Sequence, residues 1–132
     1  MDGWHSQRRR AIDTHAAELA RREAAEAEQA RQMLREFVEA ARARGIPPVA
    51  LVARSYDGRH RYRTGLRGWY LRDGLAVDEQ GEFYILLVQR SLRGLVTGVQ
   101  VPPARPRLVI GEGARDGERM PLRALLDRAL EP

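Results

Sequence analysis

A chain of 132 residues, 43% apolar and 31% charged with a formal net charge of +5, is long enough for one hydrophobic core and too short for two. This composition excludes disorder as the ground state, and no apolar run approaches the ~18–20 residues of a membrane span. Cysteine is absent, which excludes disulfides, thiolate metal sites and cysteine nucleophiles.

Lysine and asparagine are also absent, so all 23 basic residues are arginine. Guanidinium suits bidentate phosphate recognition. The codon usage of a high-GC genome accounts for the joint loss of Lys and Asn more simply. Arg8, Arg9 and Arg10 are followed by Ala11-Ile12-Asp13-Thr14-His15 rather than a hydrophobic stretch. No secretory signal is read there, and a cytoplasmic location is expected.

The first predicted element is a helix over residues 6–44, a stretch free of glycine and proline and dominated by Ala, Arg, Glu, Leu and Gln. Gly45 supplies the stop, Pro47 and Pro48 lie just beyond, and Arg42 and Arg44 complement the negative end of the dipole. Asp13-Thr14 offers an N-cap at which the helix could instead begin. Glu18 with Arg22, and Arg35 with Glu39, are spaced for pairing along the surface. Unbroken, the helix measures about 58 Å at ~1.5 Å per residue. A globule of this chain length has a radius of gyration of only ~14 Å.

The apolar face is uneven. Met33, Leu34, Phe37, Val38 and Ala41 form a full stripe that should dock on the body, whereas the earlier half offers mainly alanine. Ala20, Ala24, Ala27 and Leu34 trace a seam at helical spacing, fit for close approach of a second helix. Alanine buries little area and a lone helix is only marginally stable, so this half is expected to pair with another copy or a protein partner. The alternative is a solvated, charge-laced projection.

Beyond Pro48 the period switches to that of strands. Candidate strands cover residues 49–53, 59–64, 68–72, 75–77, 82–88, 95–101 and 107–110, with turns at Ser55-Tyr56-Asp57-Gly58, Asp73-Gly74 and Asp78-Glu79-Gln80-Gly81. Connections this short do not permit parallel crossovers, so the expectation is an antiparallel meander of about five to six strands. A short helix follows over residues 121–130, with Pro121 at its first position and Leu122, Leu125, Leu126 and Ala129 on one face. The fold class is α+β. Residues 1–46 form the long helix, and residues 47–132 form a sheet body that makes one domain with the helix's second half.

Chemistry-bearing patterns are few. Residues 54–72 hold Arg54, Arg59, Arg61, Arg63, Arg67 and Arg72 against one acid, Asp57, with Tyr56, His60, Tyr62, Trp69 and Tyr70 interleaved. Basic groups with aromatic faces can hold single-stranded nucleic acid. The candidate anion- or nucleic-acid-binding residues are Arg59, Arg61, Arg63, Arg67 and Tyr62. Strand alternation points those arginines away from Tyr62, which equally fits a core strand with a solvated arginine face. Trp69 is read as core. Gly111, Gly113 and Gly117 follow a strand and precede a helix, as in dinucleotide-binding turns, but the 15 residues remaining cannot supply a second parallel strand. Glu112, Asp116 and Glu118 would also repel phosphate. His5 and His15 do not share the i,i+4 face of a helical metal pair. His60 with Asp57 and Asp73 is the sole acid–base set, with nothing in the sequence to fix its geometry. No cofactor, metal site or catalytic residue is expected, and enzymatic activity is not favoured.

The segment of residues 62–88, with Gly68-Trp69-Tyr70-Leu71-Arg72, Leu75-Ala76-Val77 and Gly81-Glu82-Phe83-Tyr84, resembles a family of small uncharacterised proteins of high-GC actinobacteria. Residues 108–118 share the likeness, which covers about the C-terminal two-thirds of the chain. It implies no activity and transfers no functional residue. The expected function is a non-enzymatic interaction or scaffold module that self-associates or docks on a protein partner through its long helix, with no membrane association. The alternative is a nucleic-acid-binding protein using residues 54–72.

Overall fold

A computed structural model describes residues 2–111 and 119–132. The first helix, α1 (Asp2–Ala43), runs unbroken through Asp13-Thr14. It ends as expected at Gly45, whose φ of +71° is left-handed. Gly45 N–H donates to the Arg42 carbonyl and Ile46 N–H to the Ala41 carbonyl, at 3.1 and 2.9 Å. These two bonds form a Schellman cap, and Ile46 packs back on the core as that motif requires. Arg35 pairs with Glu28 and Gln32, towards the N-terminus, rather than with Glu39.

The body is built from β1 (Val49–Ser55), β2 (Arg61–Arg72), β3 (Leu75–Asp78), β4 (Phe83–Ile85) and β5 (Leu87–Val88) in the spatial order β4-β3-β2-β1-β5. The β1–β2–β3–β4 run is the expected antiparallel meander. The last pairing corrects that expectation, because β5 lies parallel to β1 and the sheet is mixed. The two sheet edges are neighbours in sequence, separated only by Leu86. Its N–H donates to the Gly74 carbonyl at 2.8 Å, and its carbonyl accepts from Arg54 N–H at 2.9 Å. One continuous segment therefore pairs with β3 on one side and β1 on the other, curling the sheet towards a small barrel. Closure of this kind leaves few open edges.

Curling creates two cores. Inside lie Leu51, Ala53, Ala76, Tyr84 and Leu86, with Leu66, Val88, Val99 and Val101 packed around them. Outside, Trp69, Leu71, Val77 and Phe83 meet Ala30, Leu34, Phe37, Val38 and Ala41 of α1 and Leu122 and Leu126 of α3 (Leu122–Ala129). Successive residues Ala76/Val77 and Phe83/Tyr84 alternate between the two cores, as the period of a strand dictates. Trp69 is core, as read from the sequence. Its ring meets Phe37 edge-on at 6.1 Å between centroids, and its Nε1–H donates to the Ile46 carbonyl at 3.0 Å. Gly68 is required where β2 crosses β3, since a Cβ there would stand 2.0 Å from the Val77 carbonyl oxygen.

Residues 95–101 do not form the expected strand. They begin in a single turn, α2 (Gly94–Thr97), set by the Ser91 hydroxyl accepting from Gly94 N–H and the Thr97 hydroxyl donating to the Arg93 carbonyl. Only Val99 N–H then reaches β2, at the Arg63 carbonyl, before Pro102 and Pro103 end any ladder. A two-stranded ribbon, β6 (Val109–Ile110) with β7 (Met120–Pro121), leads into α3. Pro121 precedes that helix rather than opening it. Most of the glycine-rich turn read from the sequence, residues 112–118, lies outside the described residues.

A candidate basic cleft and an uncovered helix

Strand β2 separates the residues the sequence had grouped. Tyr62 faces inward, 2% exposed, and its hydroxyl accepts from Ser91 N–H at 3.0 Å. This corrects its assignment to a binding surface, because a ring sealed in the interior has no face for a base or anion. Arg63 donates to the Val96 carbonyl at 2.7 Å and Arg67 to the Pro48 carbonyl at 3.1 Å. Arg63 thus ties α2, and Arg67 the segment before β1, to the barrel. Arg59 sits in the turn between β1 and β2, where its N–H and the Ser55 hydroxyl both donate to the Asp57 carboxylate. Those bonds, the Ser55 one foremost, hold Asp57 below the usual carboxylate range. Of the four predicted arginines, only Arg61 lines the cleft described next.

That cleft, about 520 Å³, opens where β1 runs past the end of β5. Val52 N–H faces the gap without a strand partner and donates instead to the Tyr70 hydroxyl at 2.8 Å. Tyr70 thus bridges β1 and β2 beside the opening. Arg54 and Arg61 are direct partners across the β1–β2 ladder, and Arg72 joins them from the far end of β2. A register irregularity between Tyr70 and Arg72 precedes the Asp73-Gly74 turn, and such bulges re-aim side chains. Asp73, 80% exposed, pairs with Arg54. Among the described residues no acid or carbonyl partners Arg61 or Arg72. Val52 supplies apolar wall, with the buried Leu86 at its floor.

The sequence placed Arg54 and Arg72 in the basic segment without singling them out, and it did not connect Tyr70 or Asp73 with them. A hairpin centred on the Asp57-Gly58 turn sets residue 55 opposite 60 and 54 opposite 61. Reading that register was the available signal.

On the helix, residues 3–25 are all exposed. Trp4 and Ile12 are each 61% exposed and Leu19 50%, whereas Ala27, Leu34 and Ala41 lie within 1% of full burial. The proposed pairing seam is therefore split. Ala20 and Ala24 are open, but Ala27 and Leu34 are covered by the chain's own body and offer a partner nothing.

His60 forms no hydrogen bond from its ring to Asp57 or Asp73 among the described residues; its backbone N–H donates to the Ser55 hydroxyl. Asp78, 5% exposed, is occupied structurally, accepting from Gln80 N–H, Glu82 N–H and the Tyr84 hydroxyl. Burial first, then the Asp78 contact, pushes the Tyr84 phenol up to about 12. Among the described residues, no group of three or more His, Asp or Glu could hold a metal ion, and no helix is long and apolar enough to cross a membrane. No protein-family model, curated protein or solved structure matches the chain.

Proposed function

We propose that the chain is a non-enzymatic interaction module whose barrel anchors the second half of α1 and whose projecting first half pairs with a second copy. The observation that carries this reading is the continuity of one helical face. Stepping back from Ala41 through Leu34 and Ala27 by seven residues at a time, then by eight to Leu19 and seven to Ile12, passes from buried to exposed without leaving that side. The exposed span of residues 3–25 is roughly 35 Å long at 1.5 Å per residue. Without a covering partner it carries apolar residues into water with no tertiary packing to stabilise it.

Charge supports an antiparallel, isologous arrangement. On the side that carries Ile12 and Leu19, Arg8 lies near one end of the exposed span and Glu23 near the other, while Arg9 and Arg22 sit on its flanks and Arg10 and Arg21 point away. Two copies crossing about residues 15 and 16 set Ile12 against Leu19 and Arg8 against Glu23, twice by symmetry. Contact between helix and body starts at Glu26, whose carboxylate accepts from Leu108 N–H at 3.0 Å, so an antiparallel pair sets the two bodies at opposite ends.

Sedimentation of the full chain tests the reading. A species of twice the single-chain 15.0 kDa is expected at tens of micromolar, reverting to monomer in Leu19→Asp. A strict monomer at high micromolar concentration contradicts it.

A further inference from the structure

The cleft beside Tyr70 lies on the barrel, away from the helix, and its chemistry is independent of any pairing. Arg54 and Arg61 oppose each other across a ladder, an arrangement that like charges disfavour. A third guanidinium, Arg72, joins them. The single carboxylate at hand, Asp73, is largely in water and pairs with only one of the three, so two positive charges remain in excess. Solvated surface arginines do not need a shared concavity. These three line one of about 520 Å³, inside the ~300–1,000 Å³ range of small-molecule sites.

We propose that this cleft binds the phosphate group of a small phosphomonoester of about mononucleotide size. A phosphomonoester carries about −1.5 to −2 charges at neutral pH, matching the excess. Arg61 and Arg72 supply forked donors that no group among the described residues occupies. Tyr70 accepts from Val52 N–H, which leaves its own hydroxyl hydrogen free to donate to a phosphate oxygen. Val52 and the Tyr70 ring give the organic part an apolar wall. A polymer is disfavoured because Arg63 and Arg67, which would extend the basic track, are tied to the Val96 and Pro48 carbonyls. Asp73 acts as an internal competitor: its carboxylate pairs with Arg54 and gives way to phosphate.

Titration calorimetry of the full chain with adenosine 5′-monophosphate, inorganic phosphate and adenosine tests this. Both phosphates should bind and adenosine should not. Replacing two charge-assisted contacts in Arg61→Ala/Arg72→Ala should weaken binding about tenfold or more, with the melting curve retained since neither side chain is in the core. Asp73→Asn keeps all three arginines, leaves the barrel interior untouched, and should tighten binding several-fold. Absence of heat with both phosphates at millimolar concentration overturns the proposal. So does adenosine binding as well as its phosphate, indifference of a folded double variant, or unchanged or weaker binding in Asp73→Asn.

Discussion

The two halves of α1 share one backbone and one alphabet of Ala, Arg and Glu, yet one is buried along a face and the other is not buried at all. From Ala27 to Ala41 the helix presents Leu34, Phe37 and Val38 to Trp69, Leu71, Val77 and Phe83, and each apolar side chain removed from water contributes about 1.5–3 kcal/mol. From Gly3 to Ala25 the same side of the helix offers Ile12 and Leu19 with His15 and Ala16 between them, and every residue of that stretch is exposed. Helix propensity is similar throughout. Tertiary burial separates the halves, and the exposed one is the surface on which the proposed second copy would pack.

The sharpest way to break that comparison is to make the same truncation in each half. Leu34→Ala, at a fully buried position, should cost about 2–5 kcal/mol in chemical denaturation of dilute protein. Leu19→Ala should stay within about 0.5 kcal/mol under the same dilute conditions. Equal losses would mean that the first half is packed on the monomer after all.

A carboxylate in the sheet body and one on the exposed half of the helix give a smaller contrast. Asp78→Ala strands the Gln80 and Glu82 N–H groups and the Tyr84 hydroxyl, and should cost about 1–3 kcal/mol. Asp13→Ala, on the exposed half, should leave the denaturation midpoint unmoved.

Tyr84 extends this contrast to pH. Its phenol is raised from 10.0 to about 12 in the folded chain. Between those values the unfolded chain releases a proton that the folded chain keeps. The Tyr84 contribution is therefore complete below about pH 10 and is lost as pH rises through about 12. Alkaline titration monitored by circular dichroism should show stability falling in that window, and Tyr84→Phe should flatten the decline.

The smallest effect belongs to the exposed ion pairs. Glu28→Ala removes the contacts to Arg31 and Arg35 and should change stability by no more than about 0.5 kcal/mol.

How far the sequence could be read follows the same division. The helix, its Gly45 stop, the stripe from Leu34 to Ala41, the Asp73-Gly74 turn and the core role of Trp69 were legible because each rests on local pattern or local backbone chemistry. Sheet closure was not, because residues 83–88 form one apolar run in sequence and Leu86 divides it only by bonding to Gly74 on one side and Arg54 on the other. Residues 95–101 resembled a strand by composition, and the Ser91 and Thr97 hydroxyls converted their start into a turn. The cleft was partly legible. Arginine density drew attention to residues 54–72, but period-2 alternation alone cannot say which arginines converge. That required the register across the Asp57-Gly58 turn, which sets Arg54 beside Arg61 and leaves Arg63 and Arg67 to the loops.

The most direct test of the central claim is sedimentation equilibrium on a charge-swap set: the native chain, Arg8→Glu, Glu23→Arg, and the two together. Antiparallel pairing through the uncovered half predicts that each single change weakens the dimer by setting like charges against each other, and that the double change restores it. Equal association in all four chains, or singles and double weakened alike, would contradict it.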